Sequence, residues 1–476
     1  MTDKTSTEIT NNSSFIVYRS ELQERWDPVM VIYNRKVQKF LFATVPLKDL
    51  LLCDPQYGAN EKGLPRSSKE QIRYIRITDI DDSGLLREEL GATVANAEEQ
   101  YSIQPKNILI ARSGATVGKT YIHKAMPYPC IFAGYMIRFI IDNKKVLPEY
   151  VFAYTQLKPY KGWVKAIQRA AAQPNINAEE YKSLRIPLPS FEIQNRIVSI
   201  MQEAYDGKKE KESDALRLIG LVDTLMTKEL GISSEDNSAL DYRRFGFFVQ
   251  YRDITESRLD PIYYNADIKK FTNCTYSERL SSLAYSFTSG FAVGRQDQVK
   301  EENGILQIRP TNIDNNGCLK YDKNVYVAEM KDAPFVESGV VLFNNTNSQE
   351  WVGKTAYFAN EEKRKVYISN HITAIEVDRS KILPEYLCAI LNMYQRHKVF
   401  YSICTNWNNQ SGVGLDLLKS LHIPLFTNDR KESLRRQQEI VDRINVIYKE
   451  ADECILSAKR IMNEAKAKVE SMIIGE

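Results

Sequence analysis

Hydrophobic positions in the last fifty residues recur with helical spacing. From Ile440 to Met472, apolar side chains alternate at steps of three and four residues, the heptad pattern of a helix that buries one stripe. The segment from Ile193 to Leu225 shows the same pattern around a charged stretch at 206–214. The spacing predicts two helices of about forty residues, each about 60 Å long at 1.5 Å per residue.

An apolar stripe of this length would be a liability if it were exposed, so we expect the two helices to pack against each other. A partner's helices covering part of the stripe, or two ordinary surface helices, are the alternatives. The stripe positions expected at such an interface are Ile193, Ile197, Ile200, Leu218, Leu225, Ile440, Ile444, Ile447 and Ile461.

The sequence that precedes each predicted helix occurs twice. YIRITDIDDSG at 74–84 returns as QIRPTNIDNNG at 307–317, an offset of 233 residues. VGKT, LPEY and KSLRIPL at 117–188 then return in the same order at 352–425, the last as KSLHIPL, after small insertions. A repeat of this length indicates a duplicated structural unit.

Inside each copy, short β-branched runs lie between turn residues, and a helical segment follows LPEY. The runs are RYIRITDI, NILIA and YMIRFII in the first copy and GILQIRP, VVLF and ITAIEV in the second. The pattern predicts α/β (α+β) units and does not give the strand order.

Composition narrows the class of protein. The 476 residues are 43% hydrophobic and 26% charged, which is typical of a globular chain with two or three domains. Seven cysteines are scattered without CxxC spacing, so neither a disulfide framework nor a zinc site is expected. There is no bilayer-spanning apolar run and no signal-peptide layout, so we expect a cytoplasmic protein with no membrane partner.

Catalytic motifs fail when their spacing is examined. SGATVGKT at 113–120 resembles a phosphate-binding loop but has Ser113 where glycine is required. The four histidines have no partner at ligand spacing, and the [DNS]PP[YFW] tetrapeptide of adenine methyltransferases is absent. We therefore expect a chain without catalytic residues and without a metal of its own.

Positive charge is concentrated in the first copy. The whole chain carries a net charge of +3, but residues 101–189 contain 13 Lys and Arg against 4 Asp and Glu. Lys161, Lys165 and Arg169 are spaced four apart on one helical face, with Lys158 one turn earlier. Such a face can neutralise a run of phosphates, although a solvated helix face is the simpler reading.

The second copy is nearly neutral over 334–426, where amide side chains replace the charges, and Asn and Gln can pair with adenine. Its two amide-rich loops align with Arg112-Ser113 and with Arg169 to Gln173 of the first copy, although Asn-rich loops often serve only as turns. The candidate DNA-binding residues are Arg112, Ser113, Lys119, Lys158, Lys161, Lys165, Arg169, Gln173, Asn344, Asn345, Asn347, Gln349, Lys354, Asn406, Asn408, Asn409 and Gln410.

These segments together resemble the specificity (S) subunits of type I restriction-modification enzymes. The resemblance rests on VPLKDL at 45–50, ILIARSGATVGKT at 108–120 and AAQPNINAEEYKSLRIPLPSFEIQNRIVSI at 171–200, with NQSGVGLDLLKSLHIPLF and RRQQEIVDRI in the second copy. The second copy departs from the family pattern where it has NNTNSQEW and QSGVG.

The resemblance implies a non-catalytic subunit in which two target-recognition domains each read half of a split sequence in double-stranded DNA. Two long antiparallel helices would separate them and dock two methyltransferase (M) subunits. S-adenosylmethionine would then belong to the M subunits, and ATP and Mg²⁺ to a restriction (R) subunit where the system has one. A protein-binding scaffold, a fused restriction-methyltransferase and a subunit of another methylation-based phage defence system stay open as alternatives.

The domains implied in this way are an N-terminal extension at 1–44, a first target-recognition domain at 45–189, a central spacer helix at 190–231, a second target-recognition domain at 232–428 and a C-terminal spacer helix at 429–476.

Overall fold

A computed structural model describes residues 28–37, 39–87, 91–168, 174–232, 274–314, 316–331, 333–360, 364–407 and 410–474. The chain divides into two compact units. The first contains residues up to Lys211 together with those from Leu456 onward, and the second runs from Glu212 to Ile455.

The described part of the first unit has ten strands. They are β1 (Thr44–Pro46), β2 (Gln56–Tyr57), β3 (Leu64–Pro65), β4 (Arg73–Ile75), β5 (Ala92–Thr93), β6 (Ile108–Ala111), β7 (Thr120–Ile122), β8 (Cys130–Phe132), β9 (Met136–Phe139) and β10 (Arg185–Pro187). An antiparallel sheet has the order β2-β9-β6-β7. A second sheet has the order β3-β5-β4-β8, in which β4 and β8 run parallel, and β1 pairs with β10.

In the second unit the described strands are β11 (Ser277–Arg279), β12 (Ala284–Ser289), β13 (Gln298–Val299), β14 (Ile305–Ile308), β15 (Tyr326–Val327), β16 (Val340–Asn344), β17 (Thr346–Asn347), β18 (Thr355–Phe358), β19 (Val366–Ile368), β20 (Ile372–Val377), β21 (Thr405–Trp407), β22 (Gln410–Gly412) and β23 (His422–Pro424). The sheets are β12-β20-β16-β18, β13-β15-β14-β19, β17-β22-β21 and the pair β11-β23.

The two units share one topology. In each, the first and last strands pair with each other, an antiparallel four-stranded sheet forms the centre, and a second sheet ends in one parallel pair. The register agrees as well, because Ile110 faces Thr120 as Phe343 faces Thr355. The predicted duplication of an α+β unit is confirmed.

The central strand of each unit is apolar throughout because both of its faces are buried. In β6, Ile108 and Ile110 face a core that contains helices, and Leu109 faces a second core between the sheets. In β16, Phe343 faces the core that contains helices and Leu342 faces the core between the sheets. Alternate positions of one strand thus serve two cores, which explains the uninterrupted runs NILIA and VVLF.

The described helices are α1 (Pro28–Val37), α2 (Pro148–Tyr154), α3 (Lys158–Ile167), α4 (Ala178–Lys182), α5 (Phe191–Glu229), α6 (Leu280–Leu283), α7 (Pro384–Arg396), α8 (Val399–Ile403), α9 (Leu415–Ser420) and α10 (Arg430–Ile473). Short 3₁₀ turns lie at Leu47–Leu50, Ile77–Asp79, Glu99–Tyr101, Arg295–Asp297, Glu301–Asn303 and Pro310–Asn312. Pro148 and Pro384 of the repeated LPEY open α2 and α7, at the position where a missing N–H costs nothing. α1 of the N-terminal segment packs against α3.

The two long helices have 39 and 44 residues, as the heptad pattern predicts, and α5 continues unbroken through the charged stretch 206–214. They run antiparallel where they meet. In the first unit Gly207 faces Ile461, and in the second unit Glu229 pairs with Arg443 at 2.7 Å. No helix of the described residues is long and apolar enough to cross a membrane.

Candidate nucleic-acid interface

The chain that leaves β6 is held between two other segments of the first unit. The backbone N–H of Arg112 donates to the carbonyl oxygen of Tyr135 at 2.9 Å, and its carbonyl accepts from the N–H of Ile176 at 2.8 Å. Ser113 then forms an antiparallel bridge with Asn175. The position of Arg112 is therefore fixed from both sides.

The second unit holds its chain in the same way after β16. The N–H of Asn345 donates to the carbonyl of His371, and its carbonyl accepts from the N–H of Val413, both at 3.0 Å. Thr346 then pairs with Gly412 as the first residue of β17. The two units thus present residues 112 and 345 on the same backbone frame, with different side chains.

The side chain of Arg112 lies over the ring of Tyr57 in β2, with 4.9 Å between the guanidinium carbon and the ring centre. The hydroxyl of Tyr57 in turn accepts from the backbone N–H of Ala178 at 3.2 Å. The Nε of Arg112 is buried without a hydrogen-bond partner among the described residues. A stacked, half-buried guanidinium has its outer edge left for a ligand.

Asn344 points inward and is fully buried. In the orientation that satisfies both ends of its amide, it donates to the carbonyl oxygens of His371 and Thr346 and accepts from Nδ2 of Asn347 at 2.7 Å. The Oδ1 of Asn347 also accepts from the N–H of Ser348 at 2.8 Å. These amides hold the loop, and the geometry favours a structural role for Asn344 over a DNA contact.

The neighbouring amides are partly engaged as well. Nδ2 of Asn345 donates to Oγ1 of Thr373 at 2.9 Å, while its Oδ1 is buried without a partner in the part of the chain that the structure describes. Nε2 of Gln349 donates to the carbonyl of Tyr401 at 3.1 Å. Neither side chain is left with its full hydrogen-bonding capacity.

A hairpin of β21 and β22 carries the second amide-rich segment. Asn406 is exposed, and its Oδ1 accepts from the hydroxyl of Ser411 at 2.5 Å. Trp407 is 47% exposed and lies on Gly412, where any Cβ would come within 2.4 Å of the indole ring. Gln410 is exposed beside it. The hairpin therefore presents an aromatic ring and two amides to solvent, while Asn408 and Asn409 lie outside the described residues.

The basic face predicted in the first copy lies on α3, where Lys158, Lys161 and Lys165 are exposed. The opposite face of α3 is anchored through Trp163, whose ring is 5.7 Å from that of Tyr181. The Tyr181 hydroxyl donates to the carbonyl of Ala111 at 2.8 Å, so α3 is tied to the end of β6. Lys158 also faces Glu470 of α10 at 3.6 Å. Arg169 and Gln173 lie outside the described residues.

Lys119 and Lys354 of the repeated VGKT share one internal contact, and Lys119 also pairs with the exposed Asp82 at 3.4 Å. Nζ of Lys119 donates to the carbonyl of Ile80 at 2.6 Å, and Nζ of Lys354 donates to that of Ile313 at 2.7 Å. Burial lowers the pKa of Lys354. Both ammonium groups bind the repeated acidic turn, which favours a structural role over a DNA contact.

That acidic turn has the same geometry in both copies. Oδ1 of Asp81 accepts from the backbone N–H groups of Ser83 and Leu85, and Oδ1 of Asp314 accepts from those of Asn316 and Cys318. The carboxylates thus close turns. Within the described ranges there is no group of three or more His, Cys, Asp or Glu side chains that could hold a metal ion.

Most of the stripe positions predicted on the long helices are buried, fully or partly, by other residues of this chain. Ile197 is buried in the first unit, and Ile440, Ile444 and Leu225 are buried in the second. The partly buried positions Ile193, Ile200, Ile447 and Ile461 pack against these cores, and Leu218 is half-buried. The exposed apolar side chains on the helices are Phe191, Leu216, Leu221, Val446 and Leu456.

Four aromatic residues of these surfaces lie outside the sequence-predicted set, and Trp407 of the hairpin is one of them. Tyr57 stacks on Arg112 although it is 55 positions away in sequence, so local spacing gives no signal for it. Trp351 and Tyr401 are 40% and 37% exposed at a groove of about 150 Å³. Trp351 directly precedes VGKT, and a tryptophan at this place is a sequence signal that could have indicated the groove.

Comparison with known proteins finds similarity to one group of DNA specificity proteins. Residues 43–216 match the type I restriction modification DNA specificity domain. The putative type I restriction enzyme MjaX specificity subunit of Methanocaldococcus jannaschii is 26% identical over 129 residues, which are 27% of this chain and 28% of that protein. The type I restriction enzyme StySPI specificity subunit of Salmonella potsdam is 22% identical over 430 residues, covering 87% of this chain and 82% of that protein.

Two solved structures are similar along most of the chain. The S subunit of the type I restriction-modification system from M. genitalium is 10% identical with a TM-score of 0.41, covering 96% of this chain and 99% of that one. The HsdS subunit from Thermoanaerobacter tengcongensis is 14% identical with a TM-score of 0.33, covering 91% and 97%. The resemblance expected from the sequence motifs is confirmed, because residues 43–216 of this chain match the DNA specificity domain of type I restriction-modification systems.

Proposed function

We propose that this chain is the subunit that recognises a bipartite DNA sequence for a type I restriction-modification complex. Each unit would read one half-site, and the M subunits would supply methylation of adenine. The observation that carries the proposal is the shared backbone frame at residues 112 and 345, which holds matching loops of the two units in the same way while their side chains differ. A duplicated reader needs this property if its two copies are to recognise different sequences.

The chain's own contribution would be binding and positioning. Exposed lysines on α3 would contact phosphates, which fix orientation, while residues of the loops after β6 and β16 would face base edges, which specify sequence. Methyl transfer with S-adenosylmethionine would belong to two M subunits, and ATP- and Mg²⁺-dependent cleavage to an R subunit. The domain boundaries given above stay a prediction within this proposal.

One observation favours a second candidate, a scaffold whose duplicated units bind protein. The stretch 334–426 carries 9 Lys and Arg against 8 Asp and Glu, so it lacks the electrostatic attraction that DNA binding usually uses. Its exposed Trp351, Tyr401 and Trp407 would also suit a protein interface.

A DNA mobility shift over a range of salt concentrations, with and without an M subunit, separates the two candidates. The proposal expects sequence-dependent binding that weakens steeply with salt and strengthens when the M subunit is added. A scaffold would bind the M subunit without shifting any DNA.

A further inference from the structure

We propose that Arg112 reads a guanine in the half-site recognised by the first unit, and that Tyr57 positions it for this contact. The inference rests on the proposed function and adds the base, the reading residue and the residue that orients it.

Arg112 has no acidic partner within the described part of the chain. Arg73 and Arg138 also have a buried, unpaired Nε and no acidic partner among the described residues. Their Nη groups, however, donate to protein acceptors: the Tyr128 hydroxyl and the Arg87 carbonyl for Arg73, and the Ser102 carbonyl and Gln56 Oε1 for Arg138. Arg112 has the stacking contact with Tyr57 and a buried, unpaired Nε. A half-buried cation without a counter-ion costs stability, so its retention favours a ligand that supplies acceptors.

The contacts around Arg112 leave one edge of the guanidinium accessible. Tyr57 covers one face and Nε is buried, whereas Nη1 and Nη2 are neither buried nor hydrogen-bonded among the described residues. Two parallel N–H donors match the O6 and N7 acceptors of guanine in the major groove. Adenine presents a donor at the position of O6, so the same edge would reject it.

The ring of Tyr57 packs against one face of the Arg112 guanidinium. Its ring restricts the orientation of Arg112, and the bond from the Ala178 N–H to its hydroxyl fixes the ring itself. A long arginine side chain loses rotamer freedom when it binds, and stacking removes part of that freedom beforehand. Tyr57 is therefore a positioning residue that does not touch the base.

The second unit lacks this arrangement at the matching position. Nδ2 of Asn345 is already bonded to Thr373, and its Oδ1 is buried. The inference therefore concerns one half-site only, and a change at Arg112 should leave the other half-site unaffected.

The test selects bound sequences from a randomised double-stranded DNA pool, using the full-length chain assembled with its M subunit. The wild-type complex should select two half-sites, of which one contains a guanine that Arg112→Lys and Arg112→Ala each relax. Arg112→Lys keeps the charge and loses the two-donor edge, so the preference for that guanine should fall about 5- to 150-fold while the other positions persist.

Tyr57→Phe and Tyr57→Ala form the matched pair for the positioning role. Phe keeps the ring and should retain most of the guanine preference, whereas Ala should lose several-fold of it, although both leave Arg112 in place. Circular dichroism on all four variants confirms folding. If Tyr57→Ala lowered affinity for every sequence alike, with its guanine preference unchanged, the positioning role would be refuted.

The outcomes also separate the inference from the proposed function. The wild-type complex could select two half-sites whose base preferences do not change in Arg112→Lys, while Arg112→Ala weakens binding to all sequences equally. That result would make Arg112 a phosphate contact and would overturn the inference alone. A wild-type complex that selects no sequence would overturn the proposed function, and the inference with it.

Discussion

The surface beside the VGKT turn differs between the two units although the backbone beneath it is the same. Gly118 and Gly353 both have left-handed φ angles, +84° and +89°, and a Cβ on either would collide with an apolar side chain of a helix later in the same unit. That side chain is Val164 of α3 in the first unit and Phe400 of α8 in the second. The glycines are required at both places because the helix lies against the turn.

The next residue along each helix is exposed and has opposite chemistry. Lys165 follows Val164, and Tyr401 follows Phe400. The first unit thus presents ammonium groups where the second presents aromatic rings and amides. The contacts that hold the backbone are therefore shared by the two units, while the exposed side chains differ. Two units that recognise different DNA sequences would require this combination.

The largest effect is expected where the frame itself is broken. Ile444 is buried in the second unit, and replacing it with Asp should destabilise that unit by about 3–5 kcal/mol because a carboxylate would enter an apolar core. Val446, on the same helix and 57% exposed, supplies the control, since Val446→Asp should change stability by less than about 0.5 kcal/mol. Urea unfolding followed by tryptophan fluorescence measures both. Similar midpoints for the two variants would mean that the stripe is not buried.

A second difference between the units should appear at acid pH. His123 occupies the end of the β7 hairpin, and burial lowers its pKa to about 4, while Phe358 stands at the matching position of the second unit. Unfolding restores the ordinary pKa of 6.5, so the unfolded chain binds more protons between these values. The stability that the neutral histidine provides is complete above pH 6.5 and is lost as the pH falls toward 4.

His123→Phe imports the residue of the second unit and should remove this loss, which amounts to about 2 kcal/mol at pH 5. Hydrogen exchange of the first unit at pH 7 and pH 5 gives the comparison. Phe358→His should add to the acid sensitivity of the second unit, where burial already lowers the pKa of His422. If the wild-type protein and His123→Phe lost the same stability between the two pH values, His123 would not be the titrating group.

The charge difference on α3 should appear in the salt dependence of DNA binding. Lys161→Ala with Lys165→Ala should weaken binding and reduce the slope of log K against log salt by about 1.8, or 0.9 for each phosphate contact. The preferred sequence should stay the same, because phosphate contacts carry no sequence information. Lys124→Ala with Lys144→Ala removes the same charge from exposed positions off α3 and is the control. Equal slopes for the two double variants would remove α3 from the interface.

The smallest effect is expected at Lys119 and Lys354, where the units agree. Replacing either with Met removes one charge-assisted bond to a backbone carbonyl and should cost about 1–2 kcal/mol of stability. DNA affinity per folded molecule should change little. A loss of affinity without a loss of stability would return these lysines to the DNA interface.

The duplication and the long helices could be predicted because each appears in the sequence as a regular spacing of residues or motifs. Heptad spacing predicted α5 and α10, and the repeated motifs aligned Arg112-Ser113 with the first amide-rich loop of the second copy. The order of the strands has no such signal in the sequence, because the pairing of β4 with the distant β8 depends on the whole fold. The sequence-based list of site residues mixed two kinds of amide for the same reason: Asn344 is buried and Gln410 is exposed, and no local pattern distinguishes them.

The central claim is that the two units are equivalent modules, each reading its own half-site. Exchanging residues 280–426 for the matching segment of another family member, and then sequencing the methylated sites of the hybrid complex, tests this directly. We predict that one half of the recognised sequence changes while the other half and the gap between them persist. A hybrid in which both halves change, or neither does, would contradict it and favour a single composite site.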